Sequence, residues 1–271
     1  MKPVSKTAYY CATVRAWDAD RPDPILGDQY AQLFLNDEVR GWMERYRPEQ
    51  GPNYGNVVRH RIIEDILRAE LAADPKRLVV VVGAGFDTTA FRMPAGRFVE
   101  VDEPQVFAEK EPKLPAGSCP NPLERIAIDF ETQTLTDVLA KFRGERGVTV
   151  IVEGVLMYLT VAQRQTMVDR LIELFPAHTL LCDNGTTKFM RRYAKTLRAR
   201  LAEFGAHFGE LLDDPPGWFG GNGYRLRESH SIVERGNRHP GAPFRVPGWL
   251  LKTFMRTLAD GYRVWYFERT A

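Results

Sequence analysis

The chain has 271 residues, 44% of them hydrophobic, and a formal charge of +2. That length suits one large α/β domain that buries roughly three quarters of its unfolded surface and needs no disulfide or metal to fold. The three cysteines, Cys11, Cys119 and Cys182, form no paired motif and read as isolated reduced thiols. The opening residues lack a signal-peptide core and no run approaches the ~20 apolar residues of a membrane span, so a cytoplasmic protein with no membrane partner is expected.

Residues 1–50 read as polar, aromatic and loop-forming, with a short helix around Asp28–Phe34. Apolar side chains at Val58, Ile62, Ile63, Ile66 and Leu67 give a helical period over 57–72, which Asp74-Pro75 stops. Leu78–Val82 (LVVVV) is a continuous apolar run, as in a parallel strand covered on both faces. Further strands read at Arg97–Val101, Arg125–Ile128, Val148–Val152 and His178–Cys182, with a helix at Val161–Leu174. This alternation predicts an α/β doubly wound sheet of the Rossmann-like class.

Residues 185–245 break the rhythm. The basic run Lys188, Arg191, Arg192, Lys195, Arg198, Arg200 has the spacing of a wet helix face, so no nucleic-acid partner is expected. A Gly- and Pro-rich stretch (DDPPGWFGGNGY) follows, and the segment as a whole reads as a lid insertion that builds most of an acceptor pocket. A helix at Trp249–Leu258 and a strand at Tyr262–Phe267 return to the sheet. Six strands are legible, and Tyr224–Arg227 is the candidate for a seventh. The expected organisation is one domain: a helical N-terminal region over residues 1–76, a cofactor core over 77–184, an insertion over 185–245 and a return over 246–271.

The first strand runs into Gly83-Ala84-Gly85-Phe86-Asp87-Thr88. Glycines there let the backbone turn sharply and approach a ligand. A dinucleotide site would want a third glycine where the chain has Thr88, so the loop favours a nucleoside without a pyrophosphate. The second strand ends at Asp102, at the spacing of a ribose-binding carboxylate. The third ends at Ile128-Asp129-Phe130, an acceptor and an apolar surface suited to adenine, and the fourth at Glu153.

The segments VVVVGAGFDTTAFR, FVEVDEPQVFAEK, IAIDFET and IVEGVLMYLT resemble the successive motifs of the leucine carboxyl methyltransferase family, whose bacterial branch includes polyketide carboxyl O-methyltransferases. The similarity runs from about Val4 to Thr160 and resumes near Pro247–Phe267. It implies a class I methyltransferase that uses S-adenosylmethionine. By position it implies that Gly83 meets the methionine portion, with Gly85 also in the cofactor-binding loop, Asp102 the ribose, Asp129 with Phe130 the adenine, and Glu153 the ammonium. Lys6 and Arg59 would hold the cofactor carboxylate, with Arg61 as the neighbouring alternative to Arg59.

The resemblance also implies methyl-ester formation on a small-molecule carboxylic acid. An ionised carboxylate can attack directly, with Arg59 and Tyr158 orienting it; Tyr158 reads equally as a packed aromatic. The alternatives are a hydroxyl O-methyltransferase with a histidine base, for which His60, His207, His230 and His239 are candidates, and a non-catalytic nucleotide-binding module. The oligomeric state is not legible.

Overall fold

The computed structural model describes residues 3–203, 205–242 and 245–270, apart from the side chains of residues 3–6 and 200. The chain opens with helices α1 (Pro3–Ala19), α2 (Asp37–Met43) and α3 (Gln50–Ala73). It then alternates: β1 (Leu78–Val82), α4 (Thr89–Arg92), β2 (Arg97–Asp102), α5 (Pro104–Lys110), β3 (Leu123–Ala127), α6 (Leu135–Leu139), β4 (Val148–Val152), α7 (Val161–Leu174) and β5 (His178–Gly185). Helices α8 (Thr187–Tyr193), α9 (Lys195–Glu203) and α10 (Pro215–Gly221) precede β6 (Arg225–Ser231) and α11 (Ile232–Asn237). Then come α12 (Gly248–Thr253), α13 (Arg256–Asp260) and β7 (Tyr262–Arg269).

The seven strands lie in the order β3-β2-β1-β4-β5-β7-β6. β1 is central and parallel to both neighbours, with Val80 opposite Val99 on one side and Val150 on the other. All five of its residues are buried, which the unbroken LVVVV run requires. Their side chains alternate: Val79 and Val81 join the core under α1 and α3, whereas Leu78, Val80 and Val82 join the core under α6 and α7. β7 is antiparallel to both β5 and β6. The strand order reverses between β1 and β4, so the crevice at their carboxyl ends is where an open α/β sheet receives a ligand.

Several expectations are adjusted. The seventh strand exists, at Arg225–Ser231, so the return to the sheet starts inside the segment read as an insertion. The largest miss is α1, a 17-residue helix where loops were expected. It is buried on several sides, with Tyr10, Thr13, Val14, Arg15 and Asp18 all enclosed, so it shows no one-sided apolar stripe. Its polar side chains are satisfied by tertiary partners instead. Arg15 donates to Asp28 Oδ2 (2.9 Å) and to the Phe86 carbonyl (2.6 Å), and Asp18 accepts the amides of Ile25, Leu26 and Gly27. α3 starts at Gln50, earlier than its apolar period, and the helix expected at Trp249–Leu258 is broken into α12 and α13 at Phe254-Met255.

Candidate functional site at the carboxyl ends of β1 and β4

The glycine loop leaves β1 with Gly83 at φ +69° and Gly85 at φ +50°, a region that disfavours side chains. A Cβ on Gly83 would lie 2.5 Å from Val155 Cγ2, and one on Gly85 3.2 Å from Ala8 Cβ of α1. The Gly83 and Ala84 amides donate to the Val101 carbonyl, fixing the loop to β2. Asp102 closes the turn: its Oδ2 accepts the Gly85 amide (2.6 Å) and its Oδ1 the Glu103 amide (2.7 Å). Each oxygen keeps a lone pair for another donor. Burial pushes this carboxyl up to about 6, against the pull of those two amides. Thr88, in the place of a third glycine, is fully buried and accepts from Arg92 Nε (3.0 Å).

Beyond β4, Gly154 (φ +68°) lets the chain pass over Arg59, whose Nη2 would lie 3.3 Å from an added Cβ. Arg59 is buried and donates from Nε to Glu153 Oε1 (2.8 Å) and from Nη1 to Tyr262 Oη (2.8 Å) and Asp183 Oδ2 (3.3 Å). Asp183 is fully enclosed at the end of β5 and also accepts the Tyr262 hydroxyl (2.6 Å) and the Gly154 amide (2.6 Å). Burial opposes the charge on Arg59, but Asp183, Tyr262 and Glu153 more than offset it and hold the guanidinium protonated. Burial likewise opposes the Glu153 carboxylate, yet His60 and Arg59 hold it well below the usual carboxylate range.

These contacts sort the sequence candidates. Arg59, not Arg61, faces the cluster; Arg61 pairs with Asp65 (2.7 Å) and the Ile25 carbonyl (2.8 Å). Gly83, Gly85, Asp102, Glu153 and Arg59 converge on the crevice. Asp129 closes its own turn, accepting from the Glu131 amide and the Thr132 hydroxyl, beside Phe130, which is 44% exposed. The Lys6 side chain lies outside the described residues. His60 is no surface histidine: it is buried, with Nδ1 2.8 Å from Glu153 Oε2 and Nε2 2.9 Å from Arg92 Nη2. Losing it would strip Glu153 of a partner, so replacing His60 should cost stability whether or not it acts as a base.

Next to Arg59 lies a cavity of about 370 Å³. Its walls come from α1, α3, the turn Leu156–Tyr158, α8, α9, α11, α12, α13 and β7. Segment 185–245 supplies 11 of the 27 described lining residues, and the amino-terminal helices form the opposite wall. The lining is aromatic and aliphatic, with neutral polar groups at Thr7, Cys11, Asn56 and Asn237. Among the described lining residues Arg59 is the one that is charged, and none is a histidine. Tyr158 lines it too, with its ring edge-on to Phe208 at 5.5 Å and its hydroxyl bonded to Thr7; burial pushes that hydroxyl up.

Two participants escaped the sequence reading. Asp183 directly follows HTLLC, so the rule that selected the acidic ends of the other strands would have selected it as well. Tyr262 carries no local signal, since its partners lie 79 and 203 residues away in the chain.

The sheet order and crevice define a class I methyltransferase fold. Among solved structures, a Thermobifida fusca protein named as a candidate methyltransferase aligns with a TM-score of 0.60 at 15% identity, covering 95% of this chain and 94% of that one. A DUF574-family protein from Streptomyces avermitilis aligns with a TM-score of 0.59 at 15% identity, covering 89% and 95%. Residues 8–172 match the leucine carboxyl methyltransferase family, and the chain belongs to that family. A Parafrankia relative named for S-adenosyl-L-methionine-dependent methyl transfer is 30% identical over 263 residues, covering 90% of this chain and 84% of its own. A similarly named Streptomyces avermitilis protein is 29% identical, covering 89% of each chain. The protein is therefore an S-adenosylmethionine-dependent methyltransferase. No helix among the described residues is long and apolar enough to cross a membrane.

Proposed function

We propose that this enzyme forms a methyl ester on the carboxylate of a small, largely apolar molecule, of which a polyketide acid is one type. The observation that carries this reading is the cavity in which a guanidinium is the single charged side chain among the described lining residues. With Nε and Nη1 donating to Glu153, Tyr262 and Asp183, Arg59 keeps the two N–H groups of Nη2 for an anionic acceptor, and a volume of about 370 Å³ suits a compact organic acid.

S-adenosylmethionine supplies the methyl group on a cationic sulfonium. The donor set fits that cofactor. Glu153 is the carboxylate for an ammonium and Arg59 a cation for a carboxylate, to which the family resemblance adds Lys6. Asp102 has lone pairs for two hydroxyls, and Asp129 with exposed Phe130 offers an acceptor and a face for adenine. Gly83 and Gly85 keep the loop thin where the methionine portion passes.

Arg59 occupies the boundary between cofactor crevice and cavity, and its bonds to Glu153 and Asp183 fix the plane of the guanidinium. Tyr158 stays protonated and serves as a neutral donor to the acceptor carboxylate. The apolar walls exclude water, which strengthens the pull of Arg59 on an anion. A carboxylic acid is ionised at neutral pH, whereas a hydroxyl acceptor would need a base. Among the described lining residues there is no histidine, and burial pushes the Tyr10, Tyr158 and Tyr262 hydroxyls upward, away from the range of a base.

The test is the stability of the product. Incubation with a panel of carboxylic acids and phenols should give a product one methyl group heavier that releases methanol in mild alkali. A base-stable methyl ether as the main product would overturn the ester reading.

A pH dependence follows from Asp102. Its carboxyl is held up at about 6, and donors such as ribose hydroxyls prefer the ionised form. Affinity for S-adenosylhomocysteine should be full above pH ~7 and fall by up to about tenfold per pH unit as pH drops below 6. Asp102→Asn should bind more weakly at neutral pH and lose that slope, which calorimetric titration at several pH values can show. With cofactor saturating, kcat should have no ascending limb near the histidine value of ~6.5.

A further inference from the structure

We propose that the helical cover over the cavity is a docking face for an anionic lipid surface. Residues 186–203 and 235–263 carry twelve Lys and Arg against two acidic residues, Glu203 and Asp260. That is a formal +10 where the whole chain has +2, leaving the rest at −8. The fold gathers these segments: α8 packs against α9 and α13, and α13 against α12.

The helices are two-sided. Met190, Leu197, Leu201, Leu251 and Leu258 line the cavity. Lys188, Arg191, Arg192, Lys195, Lys252 and Arg256 are exposed. Other cations of the cover are already committed, Arg235 to Asp65 and Arg263 to Asp260. No carboxylate among the described residues lies within ion-pair distance of the six exposed ones.

Flanking Lys252 stand Trp249 and Phe254, 65% and 82% exposed, the two most exposed large apolar side chains among the described residues. A nucleic acid or an acidic protein would be served by the cations alone. Two exposed aromatics at α12, which also exposes Lys252, beside the exposed cations of α8 and α13, have the composition of an interfacial face: rings enter the headgroup–acyl boundary while Lys and Arg reach lipid phosphates. The basic run of α8 and α9, read from sequence as a solvated face, takes this role. The docking is independent of which atom is methylated, so its failure would leave the ester reading standing.

The test is co-sedimentation of the full chain with phosphatidylcholine vesicles, with and without about 30% phosphatidylserine, near ~0.1 M salt. Binding to the anionic vesicles should be at least about tenfold stronger than to the neutral ones and should weaken with salt. Trp249→Ser with Phe254→Ser should cost about tenfold or more while keeping the salt dependence. Lys252→Glu with Arg256→Glu should abolish the preference for anionic lipid. All four side chains are exposed, and retained S-adenosylhomocysteine binding checks that the variants fold. Equal binding to both vesicle types, or none, overturns the proposal. So does binding to heparin as strong as to anionic vesicles and unaffected by the aromatic pair, which assigns the face to a soluble polyanion. Self-association without vesicles that the charge-reversed variant loses would assign it to the acidic remainder of a second copy, and also overturns it.

Discussion

Arg59→Ala should weaken S-adenosylhomocysteine binding by more than about tenfold and destabilise the free protein by about 3–5 kcal/mol. The two effects share one cause. The guanidinium is buried among Glu153, Asp183 and Tyr262. Removing it leaves the buried Asp183 carboxylate without its cation and Glu153 with His60 alone. Arg59→Lys keeps the charge but cannot reach both carboxylates through one planar fork, so it should recover some of the stability and little of the affinity. Thermal unfolding and calorimetric titration measure the two effects separately. Wild-type affinity in a folded Arg59→Ala protein would remove Arg59 from the proposed site. Arg61 would not then inherit the role, because it is bonded elsewhere.

Asp183→Ala is the second variant with a large expected effect. Asp183 is fully enclosed and accepts from three donors on three elements: Arg59 of α3, the Gly154 amide after β4 and Tyr262 of β7. Losing it leaves an amide and a hydroxyl unsatisfied and frees the guanidinium to rotate. A destabilisation of about 2–4 kcal/mol follows from the unmet donors. Turnover should fall further than cofactor affinity, because Glu153 still holds one end of Arg59 while its orientation toward the cavity is lost. Asp183→Asn should restore much of the stability, since its amide oxygen still accepts, and less of the turnover. If Asp183→Asn and Asp183→Ala lose stability equally, and turnover only in proportion, Asp183 supports the fold and nothing more.

The sequence alone determined the elements whose cause is local. LVVVV has the pattern of a strand covered on both faces, and the glycines after it mark a turn, which the structure makes with positive φ at Gly83 and Gly85. The carboxylates at strand ends were legible for the same reason. Once strands alternate with helices, the ends of parallel strands fall on one edge, and Asp102, Asp129 and Glu153 fall there with them.

What the tertiary structure decided depends on contacts distant in sequence. Helix α1 was hidden because it is enclosed on several faces and satisfies Arg15 and Asp18 through partners such as Asp28 and Phe86, so periodicity had no wet face to report. The choice of Arg59 over Arg61 rested on which side of α3 meets β4, which two arginines two residues apart do not reveal. The bond from Tyr262 to Asp183 and the closing of the cavity by both α1 and α8 are consequences of packing. No local pattern encodes them, since neither partner constrains its own stretch of chain until the sheet brings the two together.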